Sequence, residues 1–173
     1  MIIYNQAFDL YHAIFRMLQL LYRVDDKKLI DIDRLRIWDF YLLFPNEIYN
    51  IKPKKHEVDF KKRLKQLTVK KDNPYQKVFD NRKTLEKIKP YQLSALHCLA
   101  SYGIIDKSSL FQDRILIKST KLLKEHVEAI GSLSSREQNI ITIVTSDFYD
   151  VSMIGKDGLK NRSNLIESKY DAE

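Results

Sequence analysis

Residues 5–22 read NQAFDLYHAIFRMLQLLY. Ala7, Tyr11, Ile14, Leu18 and Leu21 recur at intervals of four, three, four and three, the repeat of one helical face. Phe8, Phe15 and Tyr22 form a second apolar row beside them. Only Asp9, His12, Arg16, Gln19 and Arg23 make a polar stripe. The pattern predicts one helix from about Asn5 to Tyr22. A helix this apolar needs cover on most sides. It therefore lies either at the centre of a helical core or in a subunit interface, and the core is the favoured reading.

Outward from that stretch the chain keeps reading as helix. Asp25-Asp26-Lys27-Lys28 is a polar turn, and Asp31 caps a helix from near Asp33 to Phe44. Leu35, Ile37, Trp38, Tyr41, Leu42 and Phe44 give that helix a wide apolar face, and Pro45 stops it. Pro53 opens a helix expected to reach about Lys70, with Phe60, Leu64 and Leu67 as its single apolar seam. Asn73-Pro74 starts another helical stretch, and Pro90 is expected to break a helix running from Thr84 to Lys89. A further helix follows from Pro90 to Tyr102, with Leu93, Leu96, His97 and Ala100 on one face and Gly103 as its cap. Ile115-Leu116-Ile117 is β-prone. Leu122 to Ile130 reads as helix ended by Gly131, and Ser134 to Glu137 is a capping box for a helix reaching about Phe148.

The fold class that follows is mainly α with a short β element. Residues 1–150 form a single mainly helical domain and 151–173 a C-terminal tail. Within that domain, residues 90–148 have the order of a winged-helix-like part, because a leucine-rich helix ends in Gly103-Ile104-Ile105-Asp106 before the β-prone run. An arbitrary helix-loop-strand has the same order.

Composition narrows the chemistry. The chain has 173 residues, 44% of them hydrophobic, with four glycines and four prolines, which favours long regular elements over a turn-rich barrel. One cysteine, Cys98, excludes an internal disulfide and reads as a small buried hydrophobe in a reduced, cytoplasmic setting. No apolar run has the roughly 18–20 residues that span a bilayer, so no membrane partner is expected. Met1-Ile2-Ile3-Tyr4 has no basic region or cleavage site of a signal peptide.

The net charge of +7 is concentrated. Residues 52–71 carry nine Lys/Arg against two acids, a net of +7, and the rest of the chain is neutral. Lys54, Lys55, Lys61, Lys62, Arg63 and Lys65 are candidate contacts to DNA phosphates, weighed against an ordinary solvated helix face.

Catalytic signatures are missing. His12, His56, His97 and His126 form no metal-ligand spacing. Asp31 and Asp33 sit at a helix start, where capping accounts for them, and Asp147/Asp150 have no accompanying strand-rich core. Gly155-Lys156-Asp157-Gly158 lacks the Walker spacing. The expectation is no catalytic residue, no metal and no cofactor.

Three blocks of sequence resemble a known family. They are Tyr4-Asn5, Phe8-Asp9, Tyr11-His12 and Phe15-Arg16; then Arg34 to Ile37 with Asp39 to Pro45; and last Gly158 to Arg162 with Leu165 to Glu167 and Tyr170-Asp171. Together, over about half the chain, they resemble the middle components of ABC-three-component systems, which are similar to the small subunit of Lamassu-type bacterial defence complexes. The family pattern often has proline where this chain has Gln6 and Leu10. The resemblance implies a non-catalytic adaptor between an SMC/Rad50-like ATPase and an effector, often a nuclease, with DNA reached through the complex. Tyr11, Phe15 and Arg16 of the first helix, and Gly158, Leu159, Lys160 and Arg162 of the closing block, are then candidate protein-contact residues. The rival expectation is a stand-alone winged-helix DNA-binding regulator. A third, a nuclease subunit, requires a metal-ligand constellation that the sequence does not offer.

Overall fold

Asp9 divides the first apolar stretch. A computed structural model describes residues 5–24, 26–67 and 78–167. In it Asp9 is extended and its carboxylate accepts the His12 N–H at 2.9 Å. The expected single helix is thus a 3-10 turn, Gln6–Phe8, capped by Asn5, followed by α1, Leu10–Leu21. An aspartate inside a helix competes with the backbone for hydrogen bonds, and as a cap it supplies one instead. α1 lies inside the fold, packed on α2 (Ile32–Leu43), α4 (Asn81–Ser101) and α6 (Thr120–Ala129). Ala13, Met17, Leu20 and Leu21 are fully buried.

α2 begins where the sequence placed it, with the Asp31 carboxylate accepting the Asp33 N–H at 2.9 Å. Leu35, Ile37, Trp38, Phe40 and Tyr41 are all buried, so α2 is covered on most of its circumference. Pro45 ends it and starts a 3-10 run, Pro45–Asn50. α3, Val58–Gln66, is shorter than expected from Pro53. The Glu57 carboxylate accepts the Lys54 N–H at 2.8 Å and holds residues 54–57 in a turn instead. Phe60, Leu64 and Leu67 are the buried seam, as the spacing required. The helix expected at Asn73-Pro74 lies outside the described residues.

α4 runs through Pro90 without a break. Pro90 and Glu86 are both exposed, so the carbonyl that loses its donor faces water, and the usual penalty falls. The buried face also differs from the expected one: Leu85, Ile88, Gln92, Ala95, Leu96 and Leu99 point inward, while His97 is exposed and Cys98 is only half-buried.

Gly103, at φ +73°, ends α4 in the left-handed region that favours glycine. α5, Lys107–Leu110, follows, capped by Asp106. The β-prone run gives β2, Arg114–Ile115, antiparallel to β1, Ile30–Asp31, with Ile30 opposite Ile115. Ile117 bridges Ile105 on the other side of β2. The chain then enters α6 directly. Because the partner of β2 comes from before α2, residues 93–117 form no hairpin wing. The winged-helix-like reading of 90–148 gains no support from this topology.

α7, Ser135–Thr142, opens on the capping box and continues as a π-helical turn, Ile143–Asp147, to Phe148. α8, Leu159–Ser163, closes the described chain. Leu159 and Leu165 belong to the same buried cluster as Trp38 and Phe148. No helix among the described residues is long and apolar enough to cross a membrane.

Candidate functional site

Two charged constructions organise the molecule. The first is internal. Arg16 of α1 is 6% exposed and its Nε donates to Asp39 Oδ1 of α2 at 2.6 Å. Asp39 is fully buried and also accepts from Gln92 Nε2 of α4 at 2.8 Å. Gln92 Oε1 in turn accepts from Arg36 Nε at 3.2 Å, and Arg36 reaches Asp33 and Glu86, each at 2.9 Å. Lys160 of α8 pairs with the other oxygen of Asp33 at 2.7 Å. The chain of contacts thus ties α1, α2, α4 and α8 together. Burial alone would raise the Asp33 pKa, but the Lys160 ammonium and the Arg36 guanidinium bring it below the ordinary carboxylate value.

The second construction is the seam where residues 147–165 meet α3 and its approach. Arg63 grips Asp147 with two hydrogen bonds of 2.8 and 2.6 Å. Arg162 grips Glu57 likewise, at 2.6 and 2.7 Å. Lys54 pairs with Asp157 at 2.7 Å. Burial would raise the Glu57 pKa, but the hydrogen bonds from Arg162 and the Lys54 amide, with the Arg162 charge, lower it overall. Gly158 is required by close approach: a Cβ there would lie 2.4 Å from the Ile154 carbonyl oxygen. A shallow groove follows the seam, lined by Lys54, His56, Asp150, Ile154, Lys156 and Arg162 among others.

The expected contact residues therefore separate. Arg16 is not a surface residue, because its guanidinium is held inside by Asp39 and the Gln6 carbonyl. Phe15 is half-buried, and Tyr11, 82% exposed, is the member of that trio open to solvent. In the closing block Gly158 and Leu159 are buried, and Lys160 and Arg162 are engaged in ion pairs. In the basic segment Lys54 and Arg63 are paired, whereas Lys55, Lys61, Lys62 and Lys65 are exposed and form no ion pair among the described residues. Lys61, Lys62 and Lys65 share the face of α3 opposite the buried seam. Asp39, Gln92, Glu86 and Glu57, the partners of these arginines, are not among the site residues that the sequence points to. The available signal was Arg16 itself, one charge in a nearly continuous apolar helix.

Among the described residues no three His, Cys, Asp or Glu side chains converge as a metal site. Asp31 is accounted for as a cap, and Asp147 as the partner of Arg63.

The family pattern described as ABC-three component (ABC-3C) system Middle Component 5 matches residues 2–171. This chain belongs to that family. Comparison with curated proteins and with solved structures gives no match. Membership implies that the chain works with the other components of an ABC-3C system. The blocks that carry the middle-component resemblance are the ones joined by the internal contacts: Arg16 from the first, Arg36 and Asp39 from the second, Lys160 from the last. Gln6 opens the 3-10 turn and Leu10 opens α1, and the first helical position is where proline is tolerated best.

Proposed function

We propose that this ABC-3C middle component is a non-catalytic adaptor. It joins an SMC/Rad50-like ATPase to an effector subunit in a bacterial anti-phage or anti-plasmid defence complex. Family membership supports the assembly, and the resemblance to Lamassu-type small subunits supplies the partner classes. The observation that carries the adaptor reading is the distribution of charge. Asp147, Glu57 and Asp157 at the seam are tied into structural pairs, and the α3 lysines are left facing water.

In this reading Lys55, Lys61, Lys62 and Lys65 meet phosphates of DNA held by the ATPase, with Lys54 and Arg63 beside them. Tyr11 and the rim around Lys160 and Arg162 face protein partners. DNA or nucleotide state changes which contacts are available, and the effector is assembled or released accordingly.

Co-expression with the neighbouring gene products tests the adaptor role. Co-purification with an ATPase of long coiled coil is expected, and failure to co-purify with any ATPase ends this reading.

A further inference from the structure

Arg34 differs from four other buried or half-buried arginines. Arg16, Arg36, Arg63 and Arg162 meet carboxylate oxygens at 2.6, 2.9, 2.6 and 2.6 Å. Arg34 donates instead to two backbone carbonyls, Phe148 at 2.5 Å and Val151 at 2.6 Å, and forms no ion pair among the described residues. A half-buried guanidinium whose direct acceptors are neutral keeps a charge that Asp31 and Asp150 offset only through space.

That charge borders a groove lined also by Lys28, Asp31, Arg114, Tyr149 and Asp150. Lys28 Nζ lies 4.8 Å from the centre of the Tyr149 ring and has no carboxylate partner among the described residues. Asp31 is already engaged at both oxygens, by the Asp33 N–H at 2.9 Å and Arg114 at 3.1 Å. Three cations thus face two carboxylates, an excess of one positive charge.

The same groove runs along an open strand edge. The Ile32 N–H donates to the Asp113 carbonyl, and Ile30 stands opposite Ile115. Antiparallel alternation then turns the Asp31 N–H and the backbone of Leu29 away from β2. β2 is covered on its other side by the Ile105–Ile117 bridge, so β1 is the uncovered edge of the sheet. Leu29 is 60% exposed there.

We propose that this groove binds an extended acidic segment of a partner protein, laid along the β1 edge with one carboxylate against Arg34, Arg114 and Lys28. The open edge presents both N–H donors and a carbonyl acceptor, which a polypeptide matches, whereas a phosphodiester can only accept. The excess of a single charge, beside the resident Asp31 and Asp150, matches one carboxylate and disfavours a polyanion. Leu29 and Met153 line the apolar wall for the alternate side chains of a strand.

The test is an amide NMR titration of the full isolated chain with the synthetic peptide acetyl-Val-Glu-Val-Glu-Val-amide. Saturable shifts are expected at Leu29, Asp31 and Arg114. Binding should weaken about tenfold or more, the 1.4 kcal/mol step of one lost charge contact, for the glutamine version of the peptide. The same loss is expected for K28E and for R114E. K28E serves as the second variant because Lys28 holds no ion pair whose loss would unsettle the sheet. Three results would overturn the proposal: no saturable shift, equal affinity of the glutamine peptide, or inorganic phosphate shifting these residues while the peptide does not. The titration needs no partner subunit, so its outcome is independent of the adaptor reading.

Discussion

The Arg16–Asp39 pair in the core and the lysine face of α3 are built from the same kind of sequence position: charged residues on the polar side of an amphipathic helix. They behave as opposites. Arg16 and Asp39 are almost wholly excluded from water, and each has its counter-charge within 2.6 Å. Lys61, Lys62 and Lys65 stand in water with no counter-charge among the described residues. Inside, removing one partner leaves a buried charge whose desolvation is no longer offset. Outside, water already solvates the ammonium, so a lysine matters little to stability and remains available to a ligand. Charge on a helix thus marks structure or binding according to whether other helices close over it.

This contrast can be broken most decisively at Asp39. D39A should destabilise the fold by about 3–5 kcal/mol in urea unfolding, because Arg16 stays buried without its partner. A double variant replacing Arg16 with Met and Asp39 with Leu should lose clearly less than D39A alone. If D39A costs no more than a surface substitution, the internal pair is not what holds α1 to α2.

The seam should be intermediate. E57Q leaves the half-buried Arg162 without its carboxylate and should cost about 1.5–3 kcal/mol by the same measurement. G158A forces a Cβ toward the Ile154 carbonyl and should cost about 1–3 kcal/mol. Its amide exchange should rise mainly in the closing block, leaving α1 protected.

Acid separates the regions further. The Asp33 and Glu57 pKa values are held below their ordinary values of 3.8 and 4.5. A carboxylate with a folded-state pKa below its unfolded one adds stability that is complete above the unfolded value and is lost as pH falls through the folded one. Unfolding free energy should therefore drop as pH is lowered from about 4.5, the higher of the two ordinary values. K160M should flatten the part owed to Asp33.

The smallest effect on stability belongs to α3. Changing Lys61, Lys62 and Lys65 together to alanine should move unfolding by no more than about 0.5 kcal/mol per site. In the proposed assembly the same variant should lower the slope of log DNA affinity against log salt by about 2.7, three phosphate contacts at 0.9 each. A large stability loss with an unchanged slope would make this face structural and erase the contrast.

Much of the helical framework was legible in the chain itself, because periodicity and caps are local. Asp31, Gly103 and the Ser134–Glu137 box marked ends that the structure keeps. Local reasoning failed where a residue's role depends on what stands beside it. By spacing alone Asp9 is one more polar position of a long helix, and Pro90 is a break. The first became a cap, and the second was tolerated because its turn faces solvent. For the candidate site, the basic segment was visible as charge, but its division into paired Lys54 and Arg63 and unpaired Lys61, Lys62 and Lys65 was not. Their partners, Asp157 and Asp147, lie about a hundred residues away in the chain.

The sequence by itself determined that this is a mainly helical protein of the middle-component type with one basic segment. Those properties rest on spacing, composition and motif order, which a chain carries unfolded. Only the tertiary structure decided that Arg16 is internal, that the closing block pairs with Glu57 just ahead of α3 and with Asp33 of α2, and that Arg34 holds its charge without a direct carboxylate partner. Each of these depends on which distant groups share a low-dielectric space, and that is fixed only when the helices close over one another.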